Sequence, residues 1–287
     1  MIWMCPHCAQ PLEAGEPGLL CVNGHRFDRA REGYVNLLPV QHKRSKNPGD
    51  NSEMVRGRRA LHQAQLYRPL AEALCDLVAT CRDVSTLLDI GCGEGYYDGM
   101  LSARLPGLSV YGVDIAKTAV RLAARDYRSQ HYAVASSRHL PVMTSSIDLA
   151  MCIFSPVNDS EVARAVRPNG YYLEVGPAAQ HLWELKTALY EQPREHPLLR
   201  RTIPGGALVQ EGECHYEKQL TQTELQAVVA ATPFAFRGHR EKREALREQS
   251  DFVITLGFSW RLFRLAALRD TVASGAVLDD ALESTDL

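Results

Sequence analysis

Residues 86–95 read Thr-Leu-Leu-Asp-Ile-Gly-Cys-Gly-Glu-Gly, an apolar strand running directly into three alternating glycines. A strand that ends this way ahead of a helix lets its backbone approach a ligand closely, because glycine carries no Cβ. Downstream, short apolar runs alternate with helical stretches, the pattern of a mostly parallel sheet covered on both faces. Strands are expected over 87–90, 109–113, 131–135, 147–154, 171–175, 216–220 and 252–259, seven in all. Helices are expected over 117–128, 160–166, 180–190 and 223–231, with a turn at Arg167-Pro168-Asn169-Gly170.

The loop spacing is G-x-G-x-G over Gly91, Gly93 and Gly95, not the G-x-G-x-x-G of dinucleotide enzymes. Glu94 inside it would repel a pyrophosphate but tolerates a sulfonium and an amino group. That favours S-adenosylmethionine over NAD. Asp114, at the end of the second strand and twenty-five residues beyond Asp89, stands where a carboxylate accepts both hydroxyls of a ribose. A glycine loop alone is often an ordinary tight turn; with Asp114 and the strand-helix alternation it becomes a cofactor site.

Near the start, Cys5-x2-Cys8 and Cys21-x3-His25 form two pairs, each close enough to place both donors on one ion. Four thiolate and imidazole donors suit tetrahedral Zn2+ and leave no open position, so the expected site is structural. A redox pair beside a chance histidine is the plainer alternative, but the turn-rich segment 1–35 is too small to hold a core unaided. The other five cysteines are scattered and read as reduced thiols.

The net charge of -2 hides an asymmetry, since residues 1–68 carry ten Lys and Arg against six Asp and Glu. A polyanion is expected to approach that end. Arg26, Arg29, Arg31, Lys43, Arg44, Lys46, Arg56, Arg58 and Arg59 are the candidate phosphate contacts, with Tyr34 and His42 as possible stacking groups. A merely solvated basic face is the alternative. No leader-like start and no membrane-spanning run is visible, so a cytoplasmic protein is expected. The organisation expected is a zinc-binding module over 1–35, a basic linker and helices over 36–82, a catalytic domain over 83–268 and an acidic, frayed tail over 269–287.

The Cys5/Cys8/Cys21/His25 module, the strings Glu32-Gly33-Tyr34-Val35-Asn36-Leu37-Leu38-Pro39-Val40-Gln41-His42-Lys43-Arg44 and Pro48-Gly49-Asp50, and Leu88 through Tyr97 together resemble the bacterial large-subunit ribosomal RNA guanine-N1 methyltransferases of the RlmA (RrmA) family. The resemblance implies an α/β fold, a Rossmann-like class I methyltransferase with a seven-stranded mostly parallel sheet, preceded by the small zinc-binding module. It implies methyl transfer to guanine N1 in a hairpin loop of 23S ribosomal RNA, within a homodimer. It also marks Tyr67, Gly95, Tyr96 and His181 as cofactor contacts, beside Asp89, Gly91, Gly93 and Asp114.

Guanine N1 carries a proton whose prior removal costs about 3 kcal/mol near neutral pH, so a proton acceptor is expected. Asp159 and Glu161, just after the fourth strand, are the candidates, although acidic residues in a first helical turn are commonly there for the helix dipole. Phe154 is a candidate for stacking on the base. Two other functions fit less well: a small-molecule methyltransferase, suggested by Leu140-Pro141 and Ser146-Ile147-Asp148, and an inactive RNA-binding relative. The metal module argues against the first and the intact glycine loop against the second.

Overall fold

Pro and Gly turns break the start of the chain into β1 (Glu13–Ala14), β2 (Gly18–Leu20) and β3 (Arg26–Asp28), a three-stranded antiparallel sheet. In this computed structural model the described residues are 1–42, 48–199, 201–232 and 240–266. Lys43, Arg44 and Lys46 of the basic linker and the tail from 269 lie outside them. After β4 (Val35–Asn36), Asn51 caps α1 (Ser52–Gln63) by accepting from the Glu53 and Met54 amides at 2.9 Å. Pro69 stands in the first turn of α2 (Arg68–Thr80), where its missing N–H costs nothing.

There follow β5 (Thr86–Ile90), α3 (Tyr96–Arg104), β6 (Ser109–Asp114), α4 (Lys117–Asp126), β7 (His131–Val134), β8 (Ile147–Ile153), α5 (Asp159–Ala165) and β9 (Val166–Pro177). The chain ends in α6 (Trp183–Leu189), β10 (Gly206–Leu220), α7 (Gln222–Ala231), α8 (Arg240–Arg247) and β11 (Phe252–Leu265). The large sheet has the order β10-β11-β9-β8-β5-β6-β7-β4. From β9 to β4 neighbours are parallel, while β11 and β10 are antiparallel additions.

The seven expected strands are present, but the sheet has an eighth. It is β4, paired to β7 through Val35 and Asn36, so residue 36, expected as a boundary, lies inside a strand. β9 runs through the expected turn at 167–170, and β10 starts at Gly206 rather than at 216. The reason is long-range: β10 pairs with β11 from Gly206↔Leu265 to Leu220↔Phe252, a partnership that local turn residues do not reveal.

Side-chain alternation assigns the two faces. Leu87, Leu149, Met151 and Leu173 turn towards the core built with α2, α6 and α7. Leu88, Ile90, Tyr111, Ala150, Cys152 and Tyr172 turn the other way, towards α5 and the N-terminal module. Ile2, Trp3, Leu12 and Leu19 of that module are buried in this second core. Trp3 sets its ring edge-on to Tyr111 at 5.4 Å, and the Met4 amide donates to the Pro141 carbonyl at 2.8 Å. The module is therefore a layer of the main fold and not a bead on a linker.

The chain leaves β5 towards β6 and β7, then returns to place β8 on the other side of β5. Connections diverge there, and a crevice opens at the carboxyl ends of β5 and β8.

Candidate active site and metal centre

Cys5 and Cys8 on one turn and Cys21 and His25 on the next bring four donor atoms within 4.8 Å of one another. Cys8 Sγ and Cys21 Sγ are 3.6 Å apart, Cys5 Sγ and His25 Nδ1 3.6 Å, and Cys21 Sγ and His25 Nδ1 3.3 Å. A tetrahedron with metal–sulfur bonds of about 2.3 Å has edges of about 3.8 Å, so the donors already stand at ligand spacing. A Gln10 backbone hydrogen bond is the largest influence on Cys8 and brings its thiol down to about 6, towards the thiolate a metal needs. Burial pushes Cys5 the other way, and a bound cation would offset that.

The crevice holds two adjoining cavities. One, of about 270 Å³, is walled by Tyr67, Asp89, Gly91, Gly93, Tyr96, His181 and other groups. The second, of about 570 Å³, is more polar and is walled by Asp114, Ile115, Ser136, Ser137, Arg138 and His139. Arg58, Gly91, Ile153 and Phe154 belong to both, so the two form one elongated site.

Gly91 has φ +87, and a Cβ there would stand 2.2 Å from Ser155 Oγ, which excludes any other residue. Gly93, at φ +56, would meet nothing within 4 Å and so leaves free space at the loop. Its amide donates to Asp114 Oδ2 at 2.9 Å, while Ala116 N–H donates to Asp114 Oδ1 at 2.7 Å. Burial raises the Asp114 carboxyl, and these two bonds oppose that. Gly95 is off the wall; at φ +82 it turns the loop into α3. Asp89 is buried against Asp98; burial raises both carboxyls, Asp98 raises Asp89 further while the bond from Asp89 opposes the rise at Asp98, and Asp89 Oδ1 has no hydrogen-bond partner. A cationic group entering the cavity would supply one.

His181 Nδ1 accepts from the Gly257 amide at 3.3 Å, which places the ring proton on Nε2. Nε2 then donates to the Tyr67 hydroxyl at 3.4 Å. Burial holds His181 neutral, pushed down to about 3. Phe154 follows β8 directly, in the left-handed region at φ +54 and 39% exposed, and its ring stacks on that of His181 at 6.2 Å. A strained aromatic held open at a strand end is a feature of binding sites.

One group at the site, His62, was not singled out from the sequence. His62 stacks on Tyr96 at 4.2 Å and bonds Glu94 at 2.7 Å, and Arg59 reaches the same carboxylate at 3.1 Å. The signal was the spacing of Arg59 and His62 on one face of α1, three residues apart.

Asp159 and Glu161 are placed elsewhere. Asp159 pairs with Arg201 at 2.5 Å, and Glu161 accepts two bonds from Arg164 and one from the Leu140 amide. Neither lines either cavity. Their carboxylates are used to fasten α5 and the segment carrying Arg201, so the expected proton acceptor has to be sought on the cavity wall. Two of the basic candidates also turn inward. Arg58 pairs with Asp50 at 2.8 Å and Arg59 with Asp126 at 2.7 Å, while Tyr34 is buried and unable to stack on a base. Arg26, Arg31 and Arg56 remain on the surface.

Comparison with known proteins agrees with this geometry. Residues 3–46 match the family model described as RlmA, N-terminal, a zinc ribbon, and residues 87–170 match the one described as Methyltransferase domain. The chain is 33% identical over 251 residues to the 23S rRNA (guanine(748)-N(1))-methyltransferase of Streptomyces fradiae, covering 85% of this chain and 88% of that one. It is 27% identical over 269 residues to YxjB of Bacillus subtilis (strain 168), which carries the name of a 23S rRNA (guanine-N(1)-)-methyltransferase, with 89% and 94% covered. The cofactor of this fold is S-adenosylmethionine, and the Cys3His set is a zinc site. The chain belongs to the RlmA family of 23S rRNA guanine-N1 methyltransferases.

Proposed function

We propose that this protein methylates N1 of one guanine in a hairpin loop of 23S ribosomal RNA, as a homodimer, with the base turned out of its stack into the cavity beside Phe154. The observation that carries this reading is the zinc layer and the glycine-loop crevice sharing one sheet. A small-molecule enzyme has no need of such a layer beside its site. S-adenosylmethionine supplies an electrophilic methyl group on a sulfonium.

Asp114 would hold the ribose hydroxyls, and Ile115 with Ser136 and Ser137, which line the same cavity, would border the nucleoside end. Gly91 and Gly93 give backbone room, and Asp89 and Glu94 present negative charge to the cationic end. Tyr67, Tyr96 and His181 complete that wall. Phe154 is placed to stack on the incoming base, a contact of about 1–3 kcal/mol per base in comparable sites. Much of the acceleration then comes from holding acceptor nitrogen and methyl carbon in line.

The test is incubation of the purified chain with labelled cofactor and either naked 23S ribosomal RNA or a pool of small metabolites, followed by mass spectrometry of the nucleosides. The reading requires N1-methylguanine from RNA alone. Label in metabolites and none in RNA would reverse it. Light scattering of the same preparation reports whether the chain is a dimer.

A further inference from the structure

Among the described residues, the cavity wall carries one buried ring nitrogen with no hydrogen-bond partner. His196 lies on the segment after α6, anchored by its amide donating to the Ala179 carbonyl at 2.8 Å. Its ring stands 5.9 Å from that of His181 and lines the cavity with Phe154, Pro177 and Leu182. Nε2 is buried and has no hydrogen-bond partner. The His181 backbone bonds to the ring and favours a proton there, which leaves the orphan Nε2 as the lone-pair side.

Most other polar groups on this wall are engaged. Asp89 Oδ1 and the Tyr97 hydroxyl also lack a partner, but burial favours the protonated form of both, so neither offers a base as readily as a neutral imidazole. His62 and Glu94 bond one another, Glu94 also takes Arg59, and His181 has the Gly257 amide and the Tyr67 hydroxyl. Asp89 faces Asp98 behind the loop. An unpartnered buried nitrogen costs stability, so its persistence on a cavity wall points to a ligand that completes it.

We propose that His196 Nε2 accepts the N1 proton of the target guanine during methyl transfer. This rests on the guanine-N1 reading above. The N1–H bond breaks and its proton forms the new N–H bond of an imidazolium at His196. The electron pair left on N1 forms the bond to the methyl carbon, and the carbon–sulfur bond breaks with its pair kept by sulfur, so the sulfonium becomes a neutral thioether. His196 is ready for this role because burial first, and Lys186 of α6 second, hold it below the usual histidine range and hence neutral at pH 7. Besides Lys186, the charged or titratable groups about the cavity include His181 and Glu195 near it and Arg58, His62, Tyr67, Asp89, Glu94, Tyr96 and Tyr97 on the wall.

Single-turnover methyl transfer to 23S ribosomal RNA decides it, with His196→Ala and His196→Gln beside the unaltered protein. General-base assistance is worth about 100-fold or more, so both variants should lose about that factor at pH 7. Their rates should then climb about tenfold per pH unit as the guanine ionises unaided, whereas the unaltered protein stays flat above the depressed His196 value. Calorimetric affinities for S-adenosylmethionine and for RNA should stay within about threefold, which also certifies that the variants are folded. Nitrogen-15 NMR should find His196 as the Nδ1–H tautomer in the unaltered protein.

Variants with unaltered rate and pH profile would overturn the proposal, as would an Nε2–H tautomer. A matching collapse in cofactor affinity would overturn it too, by making His196 part of the cofactor wall. If the unaltered protein makes no N1-methylguanine, it is the functional reading that fails instead.

Discussion

Around the four metal donors the chain has three short strands, no helix and a fringe of apolar residues borrowed by the main sheet. Around the glycine loop, by contrast, β5, β6 and β8 are hydrogen-bonded to neighbours on both sides and buried above and below. The zinc end is held by a few strong bonds and one shared apolar face. The cofactor end is held by many weak ones. Order at the first end hinges on a handful of atoms, while the second tolerates losses but places each ligand contact by packing. The two are coupled because Trp3 and Tyr111 touch across the boundary.

Removing the metal should therefore have the largest effect. Cys5→Ser with Cys8→Ser is expected to take zinc from about one ion per protomer to none and to unfold residues 1–35, since structural zinc contributes on the order of 10 kcal/mol to such modules. Metal analysis with circular dichroism checks this, and unchanged zinc content would refute the ligand assignment. Because the module is a layer of the second core, methyltransferase melting should shift downward as well; an unmoved transition would mean that the two regions are independent.

Trp3→Ala sharpens the same point without touching a ligand. Truncating a buried tryptophan costs about 3–5 kcal/mol, and here the loss should fall on both regions at once. Denaturant unfolding followed by near-ultraviolet signals from each region would report one shared midpoint. Separate midpoints would break the coupling.

At the cofactor end a single contact should matter less. Asp114→Ala is expected to weaken S-adenosylmethionine binding by about 1–3 kcal/mol, by removing a charged acceptor for ribose hydroxyls and loosening the Gly93 and Ala116 amides it now holds. Calorimetry measures this directly. An unaltered dissociation constant would show that the nucleoside lies elsewhere in the crevice.

What was legible beforehand follows the same division. Cys5, Cys8, Cys21 and His25 sit at ligand spacing within the sequence itself, and Gly91, Gly93 and Asp114 sit at strand ends that alternation locates, so local pattern sufficed. Asp159 and Glu161 misled because an acidic first turn looks alike whether its carboxylates meet a substrate or, as here, Arg201 and Arg164. Arg58 and Arg59 read as surface charge because a residue count cannot tell which arginines turn inward to Asp50 and Glu94. His196 gave no local signal at all. Its place on the wall depends on a bond to Ala179 and on the strands that set His181 opposite Phe154.

The two-residue strand β4 has a consequence for how such a protein can be cut and recombined. It lies along β7 at the border of the sheet, immediately after a module whose Ile2, Trp3, Leu12 and Leu19 cover Leu88, Ile90 and Tyr111. A fragment lacking the first 36 residues would bare that greasy face and free the backbone groups of β7, a template for self-association. The metal layer thus acts as a solubility shield for the enzyme beneath it. Any chain that exchanged this module for another would have to cover the same face or redesign the face itself.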